Sequence, residues 1–509
     1  MFCPHCNSDR LRKYGFRDKA DGTKTQRWEC RDCERRCTHL LDELGDDKVP
    51  MRSDVPKVSR YIVTTAQNAT PVHKNFWQSI IKCAEHYSAE IIVIPSRYKN
   101  PTSQWTKDLN DNEWWDAPVL PYLVKGNITL HKALMIVNTK VQFTASNPLA
   151  SMETLTGDKS GIVGHPRVAQ KSVATPQNKH PKMMYTTGAC TVENYTDTKA
   201  GHIGRFHHSF GALLVECAND RFHVRQLSAM KNGSFCDLNM EFTPDGCATA
   251  KRPLGLVMGD THWCKIDPKV KAATFDRGGM IDFLRPRNLF WHDLLDQYAR
   301  NHHHKNNWII DYKKNRTGQD NLTQEIHDTL DGLINSTPED CHSLVVSSNH
   351  DRALARWLLE ANFKNDPTNA RLYLKMSSMM IDYLEKNNFK VIDPFILYAR
   401  EYVQNSDKKI VFLEGDESFM LNGVEHCLHG DIGTNGSRGT TRNLSRIGVK
   451  VTKGHSHTAE IIDGCYSVGK STGKLEYEAG PSSHSNTHCV QYYNGKRALI
   501  TIINGKWKL

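Results

Sequence analysis

The sequence predicts an α/β protein of two or three domains behind a small cysteine-bearing module, and three observations lead there. Short β-branched runs alternate with stretches of helical apolar spacing from residue 58 onward. Several of those runs end in clusters of Asp, His and Asn. Two Cys-x-x-Cys pairs stand near the start of the chain. At 509 residues the chain can bury at least two hydrophobic cores.

Residues 1–40 read as a compact basic segment. Cys3-Pro-His-Cys6 and Cys30-Arg-Asp-Cys33 are two knuckles separated by a strand-prone stretch, a spacing that closes a tetrahedral site for one structural Zn2+ with four thiolates. Cys37, a few residues on, could substitute for a neighbour. A redox role needs one Cys-x-x-Cys beside a βαβ unit, which this segment lacks. With few apolar residues it is expected to fold only around its metal. Arg10, Arg12, Lys13, Arg17, Lys24, Arg27, Arg31, Arg35 and Arg36 interleave with Tyr14, Phe16 and Trp28. That mixture fits phosphate contact with base stacking, and a ribbon serving only protein contacts is the other reading.

Residues 41–57, LDELGDDKVPMRSDVPK, are acidic, hold two prolines and show no apolar period, which reads as a linker. In 58–250, Tyr61 to Thr65 and Glu90 to Ile94 flank a helical stretch from Phe76 to Tyr87, a βαβ signature. Strand-like pieces follow (KALMIVN, GALLVEC, RFHVRQL), broken by Gly, Pro, Asn and Ser, so this stretch is expected to be an irregular α/β domain suited to oligomer contacts or DNA binding. In 251–509, strand runs LGLVMGD, HSLVVSSNHD and KKIVFLEGD alternate with helical segments NLFWHDLLDQYAR and ALARWLLEANF. Asn494-Gly495 and Asn504-Gly505 mark hairpin turns near the end.

A formal charge of +10 favours polyanionic partners, because lysine and arginine release counterions from phosphates. No run reaches the roughly 18 apolar residues of a membrane span, and MFCPHCNSDR has no signal-peptide pattern. A soluble cytoplasmic protein with no membrane segment is expected. The remaining cysteines are scattered singly, as reduced thiols would be.

The polar clusters carry the chemistry. LGLVMGD ends in Asp260-Thr261-His262, and a carboxylate and an imidazole two residues apart leave one strand tip on the same side. Then come Asp293 and Asp296 in HDLLD, Asn349-His350-Asp351 after LVVSS, His429 in LHGD, and Gly454-His455-Ser456-His457 after GVKV. Strand carboxyl ends are where open α/β sheets collect ligands.

Taken in order, Asp-x-His, Asp-x-x-Asp, Asn-His-Asp, His and Gly-His-x-His resemble the motif series of the calcineurin-like metallophosphoesterases, over residues 254–464. The resemblance implies a two-sheet α/β sandwich for 251–509 and a centre of two divalent ions. It assigns Asp260, His262, Asp293 and His457 to one ion, and Asp293, Asn349, His429 and His455 to the other. Asp293 bridges them, since neutral imidazoles alone cannot screen two dications so close together. It makes His350 the group that faces the leaving oxygen, with Asp351 orienting it and Asp296 supporting the site. The family's Gly is replaced by His292 before the bridging Asp and by Ser348 before Asn349, which is tolerated where φ stays negative. His302, His303 and His304 are placed either near substrate or on a solvated face. The mixed oxygen and nitrogen donors suit manganese, iron or zinc over magnesium, and the family's nuclease branch implies Mn2+.

The overall layout resembles the pre-early DNases of T5-like phages. That likeness implies a phage-encoded, DNA-degrading homo-oligomer in the host cytoplasm, acting on host DNA and in phage DNA transfer. A phosphatase or nucleotide phosphodiesterase acting on small substrates, and a zinc-ribbon DNA-binding regulator, are the alternatives.

Overall fold

The computed structural model describes residues 3, 8, 10–18, 24–38, 51–100, 105, 114–176 and 179–509. Cys6 and most of the proposed linker lie outside the described residues.

Mixed α/β layers arise from strict period-2 sorting along the strands. The central sheet has six strands in the order Lys409–Leu413, His342–Val346, Asn288–Trp291, Gly255–Val257, Thr487–Gln491 and Arg497–Thr501. The first four run parallel, and the last two form an antiparallel hairpin. Leu256, Leu289, Trp291, Val345, Phe412 and Val490 face a helical layer, while their neighbours Val257, Phe290, Leu344, Leu413 and Cys489 face the opposite way. On the helical side, Leu322–Ser336 buries Leu322, Ile326, Leu330 and Leu333 along one stripe, starting from Asn321, whose side chain accepts from the Gln324 amide. Each such fully buried aliphatic side chain contributes roughly 1.5–3 kcal/mol.

The other face packs on a ten-stranded sheet. Its order is Met420–Leu421, Val424–Glu425, Lys450–Lys453, Cys465–Ser467, Glu460–Ile462, Gln170–Val173, Lys182–Thr186, Ser160–Val163, Leu134–Val137 and Ile128–His131. Five of these strands come from before residue 250 and five from after it, joined where Ile461 pairs with Gln170. The two stretches assigned as separate domains from sequence therefore share one sheet. The expected βαβ unit is Arg60–Gln67, Lys74–Tyr87 and Glu90–Ser96, with its strands parallel in a four-stranded sheet. Phe76, Ile80 and Cys83 of its helix pack on Ile62, Ile91 and Val93.

Two departures from the sequence reading matter for the site. The segment NLFWHDLLDQYAR is not helical: Asn288–Trp291 is a strand and 292–301 is irregular loop. Its apolar residues Leu294, Leu295 and Ala299 are buried as a helix face would be, which is why the spacing misleads. Helices Trp308–Thr317, Leu322–Ser336, Ala370–Lys386 and Pro394–Val403 fill a region where the sequence reading placed no element. Among the described residues no helix is long and apolar enough to cross a membrane.

Candidate metal centre

Five strand ends converge on one point. Asp260 and His262 follow Gly255–Val257, Asp293 follows Asn288–Trp291, Asn349 follows His342–Val346, His429 follows Val424–Glu425, and His455 and His457 follow Lys450–Lys453. Beyond the strands, the first two loops stay zipped together: the amides of Thr261, His262 and Trp263 donate to the carbonyls of His292, Asp293 and Leu294. The amide of Gly454 donates to the His429 carbonyl, tying the last two clusters.

The seven side chains face one another. His457 Nε2 lies 3.3 Å from Asp260 Oδ2 and 3.3 Å from His262 Nε2. Asp293 Oδ2 stands between two groups, 3.6 Å from His262 Nε2 and 3.3 Å from His429 Nε2. Asn349 Oδ1 lies 3.1 Å from His429 Nε2 and 3.1 Å from His455 Nδ1. Asp293 thus belongs to both halves of the cluster. His262, Asp293, His455 and His457 all have left-handed backbone, with φ of 42°, 44°, 72° and 55°. Side chains larger than glycine's resist that region, and such strain concentrates at functional sites. Gly454 is there for space, because a Cβ on it would come within 2.2 Å of Asp260 Oδ1.

The donor set fits divalent cations. Both Asp260 oxygens, Asp293 Oδ1 and His292 Nε2 are buried with no hydrogen bond, an expensive state for polar groups unless something else satisfies them. Burial pushes the Asp260 carboxyl up to about 7. Burial opposes protonation of His262, but the Asp296 carboxylate 2.9 Å from Nδ1 and the charges of Asp293 and Asp260 raise it to about 9. Burial holds His457 well below the usual histidine range and His455 down to about 4. Groups of His, Asp and Glu atoms close enough to share an ion include His262, Asp293 and His457, and Asp260, Asp293 and His429.

Around these, Asp296 has the larger supporting role. Its carboxylate lies 2.9 Å from His262 Nδ1, which leaves His262 Nε2 for the centre, and its carbonyl accepts from His350 Nδ1 at 3.0 Å. Asp351 does not orient His350, contrary to the sequence reading. Its buried carboxylate accepts from the Leu295 amide and from Ser348 Oγ, so it braces the 292–301 loop. Ser348 caps the helix Asn349–Glu360 with φ of −128°, and the positive φ falls on Asp293 rather than on His292, so neither replaced glycine was needed. Glu325 completes the brace by accepting from the amides of Tyr298 and Ala299. Nothing in the sequence marks Glu325, because its partners are backbone amides in another element. Of the three consecutive histidines, His304 borders a cleft beside His350, and all three form a partly exposed turn.

At the other end, Leu11–Asp18, Lys24–Cys30 and Arg36–Cys37 form a three-stranded antiparallel sheet. The sulfurs of Cys3, Cys30 and Cys33 gather within 4.8 Å, with Cys3 and Cys33 3.7 Å apart. Tetrahedral zinc with Zn–S of about 2.3 Å sets its sulfurs about 3.8 Å apart, so the cluster fits a zinc ribbon. Cys37 is buried beside it. Arg12 and Arg36 are held by Glu29, and Arg10 by Asp32. Lys13, Arg17, Lys24, Arg27, Arg31 and Arg35 make no ion pair among the described residues. Arg36 also stacks on Tyr14 at 3.8 Å, and Phe16 is 63% exposed.

No protein-family model matches the sequence. Protein A1 of Escherichia phage T5 is 36% identical to it over 471 residues, which cover 89% of this chain and 84% of the phage protein. At that identity and coverage the chain belongs to the family of phage T5 Protein A1.

Proposed function

We propose that the protein is a metal-dependent DNase of the metallophosphoesterase type, phage-encoded and cleaving host DNA, with a two-metal centre in its C-terminal half and a zinc ribbon at its start. The observation that carries this reading is Asp293 Oδ2 set between His262 Nε2 and His429 Nε2, a carboxylate shared by two half-sites. Asp260, His262, Asp293 and His457 would hold one ion, and Asp293, Asn349, His429 and His455 the other; oxygen with imidazole suits manganese, iron or zinc, and the likeness to the nuclease branch favours manganese. Two such ions supply Lewis acidity at the phosphate and an activated water for in-line displacement.

The chain's own residues supply the rest. Asp296 fixes the His262 ring, so that metal-facing Nε2 cannot swing away. His350 keeps Nδ1–H on the Asp296 carbonyl and would give a proton from Nε2 to the departing oxygen. Asp351 and Glu325 hold the loop that carries both contacts. A net charge of +10 and the ribbon's cations that make no ion pair among the described residues favour a polyanion over a small phosphate ester as substrate.

The test is purified protein with supercoiled and linear DNA, in manganese, magnesium or chelator. Manganese-dependent cleavage abolished by chelator is expected, and relaxation of the supercoiled form reports internal cuts. DNA left intact in manganese, while a chromogenic phosphate diester is hydrolysed, would move the substrate to small esters.

A further inference from the structure

His350 stands at the floor of a cleft of about 190 Å3 between the loops 296–304 and 473–477, whose walls include Lys265, Asn301, His304, Lys474 and Tyr477. Tyr477 as a residue is 62% exposed, while its hydroxyl reaches within 3.5 Å of Nδ1 of His457. An aromatic residue kept only for packing would be covered; this one is exposed and lines the cleft beside the candidate metal centre. The carboxylates of the cleft are already engaged. Glu476 accepts from Lys313 at 2.7 Å and from the Tyr298 hydroxyl at 3.1 Å, and Asp296 is taken by His262. The Lys265 ammonium rests over the Tyr298 ring at 3.3 Å, and Lys474 is exposed with no partner among the described residues. The cleft therefore offers one exposed aromatic residue, two ammonium groups and, from His350, an Nε2 with no hydrogen-bond partner among the described residues.

We propose that this cleft binds a single unpaired nucleotide of the substrate strand, on the leaving-group side of the cleaved bond. The base stacks on Tyr477 and the adjoining phosphate meets Lys265 and Lys474. The assignment of side rests on the nuclease reading, through the proton donor His350. The space is below the roughly 300–1,000 Å3 of pockets that enclose drug-sized ligands, so it admits a base but not a base pair, with the sugar and phosphate left outside against Lys265 and Lys474. Stacking on an aromatic ring tolerates every base, so the cleft selects strand state rather than sequence. The enzyme would then act where a strand end is frayed or a nucleotide is extruded.

The experiment uses the full-length protein in chelator, so that nothing is cut, with a single-stranded oligonucleotide carrying 2-aminopurine. Binding should quench the fluorophore in the wild type and in Tyr477→Phe, which keeps the ring. Tyr477→Ala should lose the quenching and bind roughly 5- to 100-fold more weakly. The same fluorophore inside a long blunt duplex, already dimmed by its stacked neighbours, should show no further change when the protein is added. Equal quenching and affinity in Tyr477→Ala would overturn the proposal. So would equal loss in Tyr477→Phe and Tyr477→Ala, which would make the hydroxyl a prop for His457. Quenching as expected, in a wild type that cuts no DNA in manganese, would keep the nucleotide site and overturn the nuclease reading beneath it.

Discussion

The ribbon and the strand-end centre both gather metal-type ligands, yet they are built in opposite ways. In the ribbon every residue of Leu11–Asp18 is exposed or half-exposed, and the buried side chains are chiefly the cysteines themselves. In the centre the ligands project from strands whose Leu256, Val257, Leu289, Phe290, Val345 and Val346 are all buried in two cores. On the proposed reading, metal would be folding energy in the first case, and chemistry on a fold already made in the second. Hydrogen exchange in chelator sharpens the contrast: protection should vanish in Lys24–Cys30 and persist in Asn288–Trp291. Equal loss in both would erase it.

The largest effect is expected from Asp293→Asn. An amide cannot supply the charge shared by both half-sites, so DNA hydrolysis should fall to background while the melting profile stays that of the wild type. Cleavage near the wild-type rate at saturating manganese would break the two-ion assignment. Next is His350→Ala, which should keep metal content and lower turnover by about 10²–10⁴. Loss of bound metal would make His350 a ligand instead.

Smaller effects should follow on the other side of the comparison. Cys30→Ser with Cys33→Ser should unfold the ribbon alone, with hydrolysis at the centre retained. If the ribbon's cations grip DNA, affinity for long DNA should fall and its dependence on log salt should flatten by about 0.9 for each phosphate that is no longer neutralised. Unchanged affinity and slope with zinc gone would give the ribbon a role in protein contacts only.

Acid should act on the large cores as well as on the ribbon, whose thiolates it protonates. Burial holds His165, His208 and His223 down to about 4 and His426 down to about 3. Their unfolded values lie near 6.5, so the unfolded state binds more protons as pH falls from 6.5 toward 4. Stability should be complete above that window and decline through it, by up to about 1.4 kcal/mol per pH unit for each histidine. Denaturant midpoints that do not move between pH 7 and 5 would contradict this.

Much of the site was legible because its ligands end strands whose apolar alternation is strong. Leu256 and Val257 before Asp260, and Val345 and Val346 before Asn349, identify both the strands and their tips. What was not legible depends on distant partners. Asp351 looks like an orienting carboxylate beside His350, but Leu295, 56 residues away, claims it. Tyr477 sits in a loop without period, and only the fold brings its hydroxyl to His457. The ten-stranded sheet was hidden because several of its strands have two to four residues, too short for a period to declare itself. Leu294, Leu295 and Ala299 imitate a helix face while lying in a loop that two buried carboxylates hold in place.

Anomalous diffraction from crystals grown in manganese would decide whether Asp293 bridges two ions. Two peaks are expected, roughly 3.5–4 Å apart, one on each side of the Asp293 carboxylate. A single peak, or peaks remote from Asp293, would contradict a two-metal centre.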